Sequence, residues 1–152
     1  MATIDFTEAI ASLDNMQQQF IEICAITAAA DSMFEDELEP QFLLFRMIEK
    51  FSSNISRYSN LRALLSDRHD DNDLSPLNAF TDMALEFLDD MQYQMSTIQI
   101  MAEAGNALFK DKTDTHCLLL KTIKRISEEG KNYGELHALF MGIKLSLQGD
   151  VK

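Results

Sequence analysis

Apolar residues recur along this chain at spacings of three and four, the pattern of helices that each bury one face. Over Asp5–Met33 they fall at Phe6, Ile10, Leu13, Phe20, Ile23 and Ala30. Thr3 is placed as the N-cap, and Asp5 and Glu8 suit the positive end of the helix dipole. A second run, Gln41–Leu65, carries Leu44, Ile48, Phe51, Ile55, Tyr58 and Leu61 on one side. It is entered through the acidic turn Glu35–Glu39, with Pro40 in the first helical turn. Ser75 and Pro76 form an N-cap and N1 pair that opens a third run. That run carries Phe80, Ala84, Phe87, Leu88, Met91, Met95 and Ile98 and ends near Gly105. The fourth spans Thr115–Leu147 and stops at Gly149; Gly130 and Gly134 predict a break near Glu128–Gly134. No alternating strand pattern competes, so the expected fold class is all-α.

Shifted by 75 positions, the sequence meets itself. Leu13-Asp14-Asn15-Met16-Gln17-Gln18-Gln19 aligns with Leu88-Asp89-Asp90-Met91-Gln92-Tyr93-Gln94. The match runs without a gap through Ile23/Ile98, Phe34/Phe109, Leu43/Leu118, Ile48/Ile123, Ser52/Ser127, Tyr58/Tyr133 and Leu61/Leu136. From Ala9 to Ser66 there are 18 identities in 58 positions, where composition alone gives about 3 or 4. Arg46/Lys121, Lys50/Arg125 and Leu65/Phe140 are conservative pairs. Each repeat reads as an αα-hairpin that cannot bury its apolar stripe alone. The expected architecture is a four-helix bundle built from two tandem αα-hairpin repeats, pseudo-two-fold at an offset of 75. As domain organisation, residues 1–152 form a single domain, with repeat one at about 5–66, a linker at 67–75 and repeat two at about 76–147.

Composition narrows function more than it names it. The chain is 152 residues long with a net charge of −12, which removes the usual electrostatic drive for phosphate contacts, so no direct nucleic-acid binding is expected. No run of about 18 apolar residues is free of charge, so no membrane span is expected. The N-terminus lacks a basic region ahead of an apolar one, so no secretory signal is read. Cys24 and Cys117 sit inside apolar patterns and read as buried free thiols, which makes the expected address cytoplasmic. Charge is also sorted. Asp5–Met33 and Pro76–Gly105 each hold five acids and no base, while Gln41–Leu65 and Thr115–Leu147 carry net positive charge.

Sites of chemistry are scarce. A calcium loop beginning at Asp71 fails, because Pro76 stands where glycine is needed and Asp82 where a bidentate glutamate is needed. His116 and Cys117 are adjacent, about 100° apart on a helix, and do not make a ligand pair. No Glu-x-x-His pair, phosphate loop, nucleophile elbow or zinc spacing occurs. No catalytic residue, cofactor or metal is therefore expected. Gln17 and Gln92 fall four residues after Leu13 and Leu88 and are expected to form a polar layer in the core that fixes register. The nine methionines are read chiefly as core filling.

These features suggest a non-enzymatic helical protein-interaction module, an adaptor or regulator, that engages a protein partner or self-associates. The alternative is an acidic nucleic-acid mimic that inhibits a DNA-binding protein through Asp14, Glu22, Asp82, Glu86, Asp89 and Asp90.

Overall fold

The computed structural model describes residues 5–34, 40–69, 77–109 and 114–149, and among these the backbone is helical almost throughout, with no strand. Six helices follow in order: α1 (Thr7–Asp31), α2 (Pro40–Ser52), α3 (Ser56–His69), α4 (Leu77–Ala107), α5 (Thr115–Glu128) and α6 (Lys131–Gly149). The chain is an all-α bundle, as the spacing of apolar residues predicts. The Thr3 cap, the acidic turn 35–39, residues 70–75 of the expected linker and the Ser75–Pro76 pair lie outside the described residues. The N-terminal cap that is described belongs to Asp5, whose carboxylate accepts from the Thr7 amide at 2.9 Å and the Thr7 hydroxyl at 2.6 Å.

The fourth expected helix breaks where its glycines predict, between Glu128 and Lys131. The second, expected to be continuous over Gln41–Leu65, breaks as well, between Ser52 and Ser56. The Ser52 and Ser53 hydroxyls donate back to the Glu49 and Lys50 carbonyls at 3.0 and 3.2 Å. This local bonding competes with continuation of the helix.

The two long helices owe their buried faces to an alternating three–four spacing. On α1, preceded by Phe6, the buried positions include Ala9, Leu13, Met16, Phe20, Ile23, Thr27 and Ala30. On α4 they include Thr81, Ala84, Leu88, Met91, Met95, Ile98 and Ala102.

The residues fall into two compact units. The first takes Met1–Gln17, Ile55–Gln92 and Gly130–Lys152. Its four helical pieces come from α1, α3, α4 and α6, so it draws on both halves of the sequence. In its core Phe80 packs tilted against Phe6 and edge-to-face against Phe140, with ring centroids 5.3 and 6.3 Å apart. Each fully buried ring contributes roughly 1.5–3 kcal/mol by removal from water. Side-chain pairs join the helices of this unit. From α3, Tyr58 donates to Asp14 of α1 at 2.7 Å, and Arg57 reaches Asp90 of α4 at 3.1 Å. From α6, Tyr133 donates to Asp89 of α4 at 3.0 Å, and Glu135 accepts from Ser12 of α1 at 3.1 Å.

The second unit takes Gln18–Asn54 and Tyr93–Glu129, and its helical pieces come from α1, α2, α4 and α5. Here the joints are made largely to main chain. Gln19 on α1 donates its amide to the Ile126 and Glu129 carbonyls at the C-terminal end of α5, both at 2.9 Å. Gln94 on α4 does the same at the end of α2, donating to the Phe51 and Asn54 carbonyls. Donors and acceptors of these two clamps are each 75 residues apart. They add a side-chain donor to carbonyls at the helix ends, where intrahelical donors run out; the Ile126 carbonyl also accepts from the Glu129 amide at 3.3 Å. Helix α4 also comes very close to its neighbours at Gly105, where an added Cβ would lie 2.1 Å from Leu44 Cδ2 and 3.0 Å from Leu120 Cδ1.

Candidate interaction surface

The six acids expected to form a partner-binding stripe are not left free as a set. Asp14 accepts from Tyr58 and from Arg62, the latter at 3.0 Å. Asp82 pairs with Lys144 at 3.3 Å and Asp90 with Arg57 at 3.1 Å, while Asp89 accepts from Tyr133. Burial and the adjacent carboxylates push both tyrosine hydroxyls, Tyr58 and Tyr133, above their ordinary pKa. The hydrogen bond to Asp14 likewise raises Arg62. Of the six, only Glu22 and Glu86 stand exposed with neither a hydrogen bond nor an ion pair among the described residues, and they belong to different units.

The polar layer is two residues from where the spacing placed it. Gln17 and Gln92 are half-buried; the buried glutamines are Gln19 and Gln94, each 8% exposed. A helical step of about 100° puts Gln17 on one flank of the stripe, past Leu13, and Gln19 on the other, beside Ile23 and Ala30. The signal was present, since both residues are identical across the offset of 75.

Expectations about the cysteines and metals concern the second unit most. Both cysteines are free; Cys117 is buried and donates to Asn106 Oδ1 at 2.6 Å, while Cys24 is half-buried. His116 stacks on Phe34 with centroids 4.0 Å apart and lies near-parallel to Phe109 at 6.3 Å. Its Nε2 donates to the Ala30 carbonyl at 3.2 Å and its Nδ1 faces Asp114 at 3.4 Å. The imidazole is thus committed to packing α5 against α1. Among the described residues no group of three His, Cys, Asp or Glu side chains is placed to hold a metal ion.

A second acidic feature lies where α1 ends. Asp31 and Glu49 meet, and Asp31 Oδ1 and Glu49 Oε2 are both buried without a donor. Arg46 reaches the other Asp31 oxygen at 3.7 Å. Burial, then the hydrogen bond and charge of Glu49, raise Asp31 to about 6, against a lowering by Arg46. Protonation of Asp31, at or below about pH 6, would supply the missing donor. Across the offset of 75 the same places hold Asn106 and Lys124, and Lys124 pairs instead with Glu103 and Glu128 at 3.5 Å.

The surface of the second unit is what distinguishes it. Of the large apolar side chains left exposed, Ile21, Met33, Leu43, Met47, Tyr93, Ile100, Leu108 and Leu118 belong to this unit; Ile55, Met83 and Leu145 belong to the first. On α2, Leu43 and Met47 are each 51% exposed. With Arg46, Glu49, Lys50 and Ser53 they line an open groove of about 620 Å³. On α5, Leu118, Lys121, Thr122 and Arg125 occupy the corresponding exposed positions. Lys50, Lys121 and Arg125 have no carboxylate within ion-pair distance among the described residues. The sequence holds a trace of this face in the identical pair Leu43/Leu118 and the charge-preserving pairs Arg46/Lys121 and Lys50/Arg125.

Among the described residues no helix is long and apolar enough to cross a membrane. No protein-family model, curated protein or solved structure matches this chain.

Proposed function

We propose that this chain is a non-enzymatic helical protein-interaction module, acting as an adaptor or regulator through the second unit. The observation that carries the reading is the concentration of exposed apolar side chains on that unit, beside bases that have no acid within reach among the described residues. Scattered exposed apolar residues are ordinary, whereas a group of them confined to one part of a molecule marks a contact surface. We also propose that the scaffold arose by fusion of two hairpins. The recurrence of the glutamine clamps and of the tyrosine–aspartate bonds at an offset of 75 supports this.

The nucleic-acid-mimic alternative rests on the net charge of −12 and draws less support. A mimic needs its acids unpaired and evenly spaced, and Asp14, Asp82 and Asp90 each hold a base. A tagged pull-down from the source lysate at low and high salt, read by mass spectrometry, tests both readings. Capture that survives high salt supports the module, and capture of a DNA-binding protein at low salt alone supports the mimic. A strict monomer in sedimentation that captures nothing under either condition overturns the module.

A further inference from the structure

We infer that the exposed face of α2, and more weakly that of α5, is a docking surface for an acidic amphipathic helix of a partner protein. The inference rests on the interaction-module reading and names the chemistry of the partner. The chain holds 25 acids and 13 bases, so a base on its surface seldom lacks an acid within reach. In the first unit Arg57, Arg62, Lys131 and Lys144 all have one. On the outer faces of α2 and α5 Arg46 reaches Asp31 at 3.7 Å, but the other exposed bases differ. Lys50, Lys121 and Arg125 have none among the described residues, and Glu49, the one acid among the described residues that line the α2 groove, lies beside Asp31. These cations are available to a carboxylate from outside.

The apolar residues set the shape of the occupant. Leu43 and Met47 are one helical turn apart, as are Arg46 and Lys50, so apolar and basic stripes run side by side. A helix of 13 residues extends about 20 Å. A partner helix of similar length, with leucines on one edge and glutamates beside them, matches both stripes. An extended polyanion or an anionic membrane fits less well, because a body of net charge −12 repels it beyond the immediate contact. A short helix touches the local cations within a Debye length of about 8 Å and little else. Helix α5 offers the same arrangement with Thr122 in the place of Met47, which makes α2 the stronger of the two faces.

The test uses the full chain and a fluorescein-labelled synthetic 18-residue amphipathic helix bearing leucine and glutamate stripes, with anisotropy read at low and moderate salt. The expected result is binding that weakens about tenfold or more in Lys50→Glu and in Leu43→Ser. Binding is retained in Lys50→Arg, falls less in Arg125→Glu, and is absent for a peptide with lysine in place of every glutamate. Circular dichroism of each variant establishes that the helices persist. Equal binding of the glutamate and lysine peptides, indifference to Lys50→Glu and Leu43→Ser, or preference for phosphatidylglycerol vesicles or duplex DNA overturns the inference. A dimer that Leu43→Ser dissociates overturns it too, by identifying the occupant as a second copy of this chain. If the lysate pull-down captures a partner equally well with Lys50→Glu, the module reading stands and this inference falls.

Discussion

The two units of this chain are built from the same four kinds of helical piece, yet they spend their polar side chains differently. In the first, tyrosines, arginines and a lysine on α3 and α6 reach out to aspartates on α1 and α4, so the surface is stitched by side-chain pairs. In the second, two buried glutamines hold the helix ends through main-chain carbonyls, and a stack of Phe34 on His116 packs the aromatic cluster. Joints made internally leave surface residues uncommitted. The difference teaches that a unit held through main-chain carbonyls has less call on its surface side chains, which fits exposed leucines there and, among the described residues, a Lys50 and Lys121 with no acid in reach.

The comparison is broken most directly at the joints. Gln19→Ala or Gln94→Ala removes two hydrogen bonds to carbonyls at a helix end and opens a buried site, and is expected to cost about 1–3 kcal/mol in urea unfolding. The two should cost alike. Tyr58→Phe and Tyr133→Phe in the first unit remove one partly exposed bond each and should cost about 0.5–1.5 kcal/mol. Tyrosine variants that cost more than the glutamine variants would contradict the contrast between the units.

Glycines sharpen it next, because the same substitution should change sign between units. Gly105→Ala in the second unit places a methyl against Leu44 and Leu120 and should destabilise by about 1–2 kcal/mol, even after the gain in helix propensity. Gly142→Ala in α6 of the first unit meets nothing within 4 Å and should stabilise by about 0.5–1 kcal/mol. Thermal melts of the two variants check both signs.

The third prediction concerns pH. Asp31 sits at about 6 in the fold against 3.8 for a free side chain, because burial and Glu49 favour its protonated form. The folded protein therefore holds a proton that the unfolded chain has released between these values. The stability it contributes is complete below pH 4 and is lost as pH rises through about 6. Asp31→Asn, which installs the side chain found 75 residues later at Asn106, should abolish that loss and stabilise the protein at pH 7 by on the order of 1 kcal/mol. Stability curves from pH 4 to 8 for both proteins that run parallel would refute the protonation of Asp31.

Much of this architecture is legible in the residues before any coordinates. The three–four spacing marks the helices of α1 and α4, and Gly130 announces the break between α5 and α6. The break before α3 has no glycine or proline; Ser52, Ser53 and Asn54 mark it only when aligned with Ser127–Glu129. Gln17 and Gln19 are both flanks of one stripe, and which is buried depends on where α5 ends, a fact of packing that spacing does not hold. In the sequence, charge alone marks out the acids. Their engagement with Tyr58, Arg57, Arg62 and Lys144 depends on which helices become neighbours, as does the freedom of Lys50, Lys121 and Arg125.

The smallest effects bear most closely on function. Arg57→Ala and Lys144→Ala break exposed ion pairs of the first unit and should cost only about 0.2–1 kcal/mol each, shrinking as salt screens them. Lys50→Ala, Lys121→Ala and Arg125→Ala break no ion pair among the described residues, so stability should stay within about 0.5 kcal/mol of the parent at any salt. A base that costs nothing to remove contributes little to the fold. In a chain with nearly twice as many acids as bases, three such bases beside exposed leucines make sense as contacts waiting for an acid on another molecule. Unfolding curves at low and high salt for the five variants decide it. A stability loss confined to Arg57 and Lys144 and reduced by salt upholds the division between a stitched unit and a receptive one, and an equal loss at Lys50 dissolves it.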